Sequence, residues 1–158
     1  MPRIRRRPLL TVLVAGVVTL GGCAVTVPVD VAPDATDPVC ASVVLAMPDS
    51  LGDGLPQRDT TAQATTAWGD PAAPVVLRCG VEPLGPTTER CQTVESAGGA
   101  SVDWVVVESD DGWTFTTYGR EPAVELHVPA EVAAERSTAF VDQLGPAVSL
   151  TEQLRSCV

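Results

Sequence analysis

Val102-Asp103-Trp104-Val105-Val106-Val107-Glu108, then Ser109-Asp110-Asp111-Gly112, then Trp113-Thr114-Phe115-Thr116-Thr117-Tyr118, then Gly119-Arg120-Glu121-Pro122, then Ala123-Val124-Glu125-Leu126-His127-Val128: this run decides the fold. Three stretches rich in β-branched and aromatic residues are separated by short segments of turn formers, the pattern of two successive hairpins. Pairing the first two stretches across Ser109–Gly112 sets Trp104 opposite Thr117, Val106 opposite Phe115 and Glu108 opposite Trp113. Pairing the second and third across Gly119–Pro122 sets Phe115 opposite Leu126, Trp113 opposite Val128 and Thr117 opposite Val124. The two hairpins independently place Phe115 and Trp113 on one face, together with Trp104, Val106, Val124, Leu126 and Val128. Thr114, Thr116, Glu125 and His127 fall on the other. Such alternation predicts an antiparallel β-meander with one dry side, because a slip of one residue would turn every apolar side chain to water.

A dry face needs a cover. Downstream of Pro129 the period becomes helical: Ala133, Arg136, Phe140, Val141 and Leu144 share a face, and Gly145-Pro146 ends or kinks the helix. A further helical turn is expected towards Leu154. Upstream, Val39–Met47 reads as a short helix stopped by Pro48, and Asp49–Gln57 as loop. Thr60–Trp68 reads as a strand, Gly69-Asp70-Pro71 as a turn, and Val75–Cys79 as a strand. The class expected is α+β, an antiparallel β-meander with one face covered by helices and with two disulfides.

The first residues read differently. Arg3, Arg5, Arg6 and Arg7 precede an apolar run from Pro8 to Leu20, then Leu20-Gly21-Gly22-Cys23. A basic start, an apolar middle shorter than the roughly 20 residues of a membrane span, and small residues before a cleavage point make a secretory signal peptide. Leu20-Gly21-Gly22-Cys23 resembles the bacterial lipobox, in which the Cys thiol takes a diacylglyceryl group and becomes the new N-terminus. Small residues before it admit the peptidase beside a bulky lipidated side chain. Dual acyl chains suffice for stable anchoring. Arg6-Arg7-Pro8-Leu9-Leu10 also resembles a twin-arginine signal, a pattern that any Arg-rich start generates. The expected organisation is a leader at 1–22, a lipid-anchored flexible linker at 23–38 carrying Pro28, Pro33 and Pro38, and one domain at 39–158.

Assigning Cys23 to lipid leaves Cys40, Cys79, Cys91 and Cys157, an even set that in an oxidising compartment reads as two disulfides. Of the three pairings, Cys79–Cys91 with Cys40–Cys157 is favoured: the first closes a Gly/Pro-rich loop, the second ties the start of the domain to its last turn. A metal site is not expected, since no clustered ligand spacing such as C-x-x-C occurs. Once the leader is removed, six Arg face twenty acids, a net charge of −14. Such a surface repels nucleic acid and anionic headgroups and suits cationic or neutral partners. Past the leader there is no Lys, Asn or Ile, the residues of AT-rich codons, which points to a high-GC genome.

Catalytic patterns are weak. His127, the only histidine, falls on the wet face beside Thr114, and no G-x-S-x-G elbow accompanies it. No phosphate-binding glycine loop occurs. Asp49–Gly54 has the acids of a calcium loop without its spacing. Twenty acids guarantee that some pair lies close, so paired carboxylates of the glycosidase kind carry little information. Tyr118 and Arg120 flank a turn glycine where side chains can reach a ligand, and Trp68 precedes another turn; these three are the candidate ligand-binding positions. The competing reading makes Gly119 a turn residue needing positive φ and Trp68 a core residue. Arg78 fits a structural ion pair with an acid.

Trp68-Gly69-Asp70-Pro71, Val75-Val76-Leu77-Arg78-Cys79-Gly80-Val81, Cys91, Asp103-Trp104 and Thr117-Tyr118-Gly119-Arg120-Glu121-Pro122-Ala123-Val124 together resemble the DUF3515 family over most of Val39–Cys157. The resemblance implies an actinobacterial envelope protein, commonly a lipoprotein, and supplies no activity, substrate or cofactor. Gly145-Pro146 is a departure, standing where the final helix of the family is expected to run on.

The function expected is a membrane-anchored extracytoplasmic lipoprotein on the outer face of the cell membrane. It would be a non-enzymatic binding or envelope-assembly module without cofactor, contacting the bilayer through acylated Cys23 and an envelope protein or cell-wall partner. The alternative is a carboxylate-dependent hydrolase acting on cell-wall or glycan material.

Overall fold

The computed structural model describes residues 25–158, so the leader and Cys23 lie outside the described residues. In chain order the elements are α1 (Pro38–Leu45), β1 (Ser50–Leu51), β2 (Leu55–Arg58), β3 (Thr65–Trp68), β4 (Val75–Val81), β5 (Cys91–Glu95), β6 (Ser101–Ser109), β7 (Gly112–Thr117), β8 (Arg120–Glu121), β9 (Ala123–Pro129), α2 (Ala130–Glu135), a 3-10 segment (Thr138–Leu144), α3 (Gly145–Val148) and β10 (Glu152–Gln153). Eight strands form one antiparallel sheet in the order β1-β2-β3-β4-β9-β7-β6-β5, while β10 pairs with β8 separately.

The meander has the register its alternation predicts. Trp104 pairs with Thr117 and Val106 with Phe115; Phe115 pairs with Leu126 and Trp113 with Val128. The first turn is tighter than expected, because Ser109 already pairs with Gly112 and only Asp110-Asp111 remain between the strands. Trp104 and Phe115 meet edge to face at 6.4 Å between ring centroids. With Val102, Val106, Val124, Leu126 and Val128 they form one core with Trp68, Val75 and Leu77 of the neighbouring strands. The cover consists of Val43 and Met47, from α1 and the turn after it, and Phe140, Val141, Leu144, Ala147 and Val148 from the C-terminal helical region. The molecule is α+β, as its sequence pattern predicts.

The helical region is broken where one helix was expected to run. Arg136 adopts an extended conformation at the end of α2, and its guanidinium donates to the carbonyl of Asp53. The Ser137 hydroxyl then accepts from Ala139 N–H and starts the 3-10 segment. Pro146 opens α3, where a missing N–H costs no hydrogen bond. The chain past Val148 is not a further helical turn: it bends back so that Glu152 and Gln153 pair with Glu121 and Arg120. Asp49–Gln57, expected as loop, contains the small hairpin β1-β2.

Two expectations are overturned. The disulfides are Cys40–Cys79 and Cys91–Cys157, not Cys79–Cys91 and Cys40–Cys157. Strand order explains this. Four ladder steps separate β4 from β5, about 19 Å at the usual spacing, and a disulfide spans less than about 7 Å between Cα atoms. The two cysteines also face opposite ways. Cys79 shares the core row of Val124, and Cys91 pairs with Val105 on the outer face. Segment 23–38 is likewise no free linker where it is described. Val27 is 1% exposed and Ala32 2%. Val27 forms a parallel bridge to Thr60, and Asp34 N–H donates to the carbonyl of Gly80 at 2.9 Å. The segment turns at residues 33–36 before α1, and the apolar residues between its prolines are enough to lay it against the domain.

Candidate functional site

The outer face of the sheet is polar and only partly wet. Arg78 and Glu125, adjacent in β4 and β9, form an ion pair at 2.6 Å. His127 pairs with Thr114 across β9 and β7, with Nδ1 and the hydroxyl 3.4 Å apart. Thr116 and Val105 continue the row of Glu125 towards the Cys91–Cys157 disulfide and are buried.

The three candidate ligand residues do not converge. Trp68 is fully buried in the core, and its indole N–H donates to the carbonyl of Pro48 at 2.8 Å. Arg120 is also buried. It donates to the carbonyls of Thr151 at 2.8 Å and Ser101 at 3.1 Å, and to the amide oxygen of Gln153 at 3.2 Å. Burial pulls its guanidinium below the ordinary arginine range, partly opposed by the nearby Asp103 carboxylate. Asp103, buried too, accepts from the Thr93 hydroxyl at 2.6 Å and from Cys157 N–H at 2.9 Å. Arg120 and Asp103 thus tie the C-terminal segment to the sheet from two sides. Gly119 lets that segment approach: its φ is +67°, and a Cβ there would stand 2.3 Å from the carbonyl oxygen of Arg155. Tyr118 is the half-exposed member of the three, its N–H held by the carbonyl of Asp103.

What the fold does bring together lies beside this junction. A cleft of about 320 Å³ is lined by Asp34, Asp37, Val81, Pro83, Glu121 and Pro122. A second, of about 370 Å³, shares Asp37, Glu121 and Pro122 and adds Val39, Leu150 and Glu152. They make one groove whose four carboxylates have no basic residue among the lining. It is built from the N-terminal segment, the β7–β9 connection and the C-terminal tail. Gly80 admits the first of these, because a Cβ there would meet the backbone of Asp34 at 2.4 Å. The Asp37 carboxylate also caps α1 by accepting from Val39 N–H at 2.7 Å. Chemically the groove suits a cationic or hydrogen-bond-donating group. Asp34, Glu121 and Glu152 face solvent, whereas paired-carboxylate hydrolysis needs one acid set apart in an apolar surrounding. Sequence reading missed the groove because its acids come from positions far apart in the chain; only the overall acidity hinted at it.

Among the described residues, no group of three or more His, Cys, Asp or Glu is arranged to hold a metal ion, and no helix is long and apolar enough to cross a membrane. Two disulfides in one small domain mark an oxidising, extracytoplasmic compartment.

No curated protein and no solved structure matches the chain. Residues 9–156 match the family described as "Protein of unknown function (DUF3515)". With nearly its whole length covered by that match, the chain belongs to the DUF3515 family.

Proposed function

We propose that the protein is a lipid-anchored extracytoplasmic module, held on the outer face of the membrane through acylated Cys23 and binding a partner protein or cell-wall component without catalysing a reaction. The observation that carries this reading is the use of cysteine. Cys40, Cys79, Cys91 and Cys157 pair among themselves, which leaves Cys23, at the lipobox position, without a disulfide partner inside the chain. The covalent ties support a binding role: one fixes the first helix to β4, the other fixes the tail to β5, and the acidic groove lies between the segments they secure. A surface held in this way has little ordering entropy to lose on binding.

Intact-mass measurement on the membrane fraction tests the anchor. The expected mature chain starts at Cys23, carries a diacylglyceryl group and contains two disulfides; Cys23→Ser should be unprocessed or released. A correctly cleaved, unlipidated chain that stayed with the membrane would sink the anchor reading. For the binding role, a photo-crosslinker at Glu121 in intact envelopes should yield a defined adduct absent when the crosslinker is at Asp110. Equal adducts at both positions would remove the groove as the contact.

A further inference from the structure

The N-terminal segment determines how a lipid-anchored domain would sit, an inference that rests on the Cys23 anchor proposed above. A free linker at 23–38 would let the domain drift some 50 Å from the bilayer if extended. The packed segment forbids this. Val27 N–H donates to the carbonyl of Asp59 at 2.8 Å, and Thr61 N–H donates to the carbonyl of Val27 at 3.0 Å. The Thr61 hydroxyl accepts from Val29 N–H at 3.0 Å. Val27 itself is buried. The chain is docked from Val27, four residues after Cys23, so the anchor can stand at most about 14 Å from that point.

That short reach selects one end of the molecule. Thr60 precedes β3, so the bridge to Val27 lies at the end of the sheet where β3 starts, β4 ends and β9 begins. Leu45 shares a surface cleft of about 490 Å³ with Asp59 and Thr60. It is 87% exposed and Val25 is 63% exposed, two large apolar side chains facing solvent beside the tether. The Asp110-Asp111 turn joins β6 to β7 at the opposite end of the strands, three to four ladder steps from β3. Strand length and strand spacing put it more than about 25 Å from Thr60.

We infer that the anchored domain lies directly on the bilayer, with Val25, Leu45 and the Asp59–Thr61 turn against the lipid and the Asp110-Asp111 turn directed away. Contact is made by the tether and the apolar side chains. Charge does not assist it, since Asp30, Asp49 and Asp59 are exposed at or next to this end and the acidic groove, with exposed Asp34 and Glu121, stands at the same end of the strands, and adding anionic lipid should loosen it at low salt.

The full lipidated chain, reconstituted into phosphatidylcholine vesicles that contain acyl-brominated phosphatidylcholine, tests the orientation. Tryptophan is introduced as L45W or D110W, both at exposed positions, and the emission added over the parent chain is followed. L45W should lose roughly twofold more of its added emission than D110W, given a hydrocarbon core about 30 Å thick and the separation of the two ends. Inserting a Gly/Ser segment of about 12 residues between Ala24 and Val25 should bring L45W down to the D110W level with the lipid still on Cys23. A label-free check is amide hydrogen exchange: the peptide around Asp59–Thr61 should exchange more slowly on vesicles than in soluble Cys23→Ser, and the peptide around Asp110 should not change. Equal quenching and equal exchange at the two ends, with lipidation shown by mass, would overturn the orientation and leave the anchor standing. A chain carrying no lipid at Cys23 would overturn both.

Discussion

The central meander β6-β7-β9 and the two flanking segments, Val25–Asp37 and Thr151–Cys157, are held by different physics. The meander is held by repetition. Each strand alternates, each pair of strands agrees on the same register, and the shared dry face buries Trp104, Phe115 and Leu126 together. The flanks have no repeat. They are held by particular ties: the Val27–Thr60 bridge, the Arg120 and Asp103 hydrogen bonds and the Cys91–Cys157 disulfide. Repetition makes a structure tolerant, because many small contacts agree. Particular ties make a structure exact in position but vulnerable at single residues. The acidic groove and the tether both belong to the second kind of region.

The largest effect should come from attacking the repeated region at its centre. Phe115→Ala removes a ring that packs edge to face on Trp104 and stacks beside Trp113, so a loss of about 3–5 kcal/mol is expected. Urea unfolding of the oxidised domain measures it. A loss under about 1 kcal/mol would mean that the dry face is not packed as described. Replacing Cys91 and Cys157 together by Ser should cost up to about 4 kcal/mol, the chain-entropy estimate for the 66-residue separation. Unlike Phe115→Ala, it should also act locally: hydrogen exchange should rise in Thr151–Cys157 and in β5 well before global unfolding. Uniform acceleration across the meander would erase the distinction between the two regions.

That distinction also explains what the sequence reveals and what it hides. The meander was legible because side-chain alternation is a local signal, and two hairpins sharing β7 check each other. Phe140, Val141 and Leu144 were legible as cover for the same reason, although the backbone beneath them is a 3-10 segment rather than a continuous helix. The disulfide pairing was not legible. Loop length favours Cys79–Cys91, but β9, β7 and β6 come between their strands, and strand order is a tertiary fact. Segment 25–37 was misread because its prolines and aspartates outweighed a short alternation of Val25, Val27, Val29 and Val31, while the residues that dock it, Val27, Ala32 and Ala35, are not evenly spaced. Arg120 illustrates the same limit for site residues: beside a turn glycine it reads as a ligand contact, and only the returning tail shows that it is buried.

Arg120→Met tests that last point at intermediate size. The substitution keeps much of the bulk and removes the donors, leaving the Thr151 and Ser101 carbonyls without their partner. A loss of about 2–3 kcal/mol is expected from the unpaired groups. The β8-β10 pairing should loosen while the meander keeps its protection. An unchanged stability would show that the buried guanidinium is replaceable by packing alone, as some buried charges are.

The smallest effect lies at the meander's own turn. Asp111 is exposed, yet its carboxyl is held below the ordinary carboxylate value. The first cause is the hydrogen bond from the Ser109 hydroxyl, followed by a backbone N–H and by the charge of His127, and a slight burial opposes them. A depressed folded-state value stabilises the fold above the ordinary carboxylate pKa, and that contribution disappears as pH falls through the folded value. An NMR titration should therefore find the Asp111 midpoint below the ordinary carboxylate value. Ser109→Ala should raise the Asp111 midpoint towards that ordinary value, with a change in unfolding midpoint too small to register beside Phe115→Ala. If the Asp111 midpoint stayed depressed in Ser109→Ala, the backbone and His127 would carry the shift, and the turn would depend on its fold position rather than on one side-chain contact.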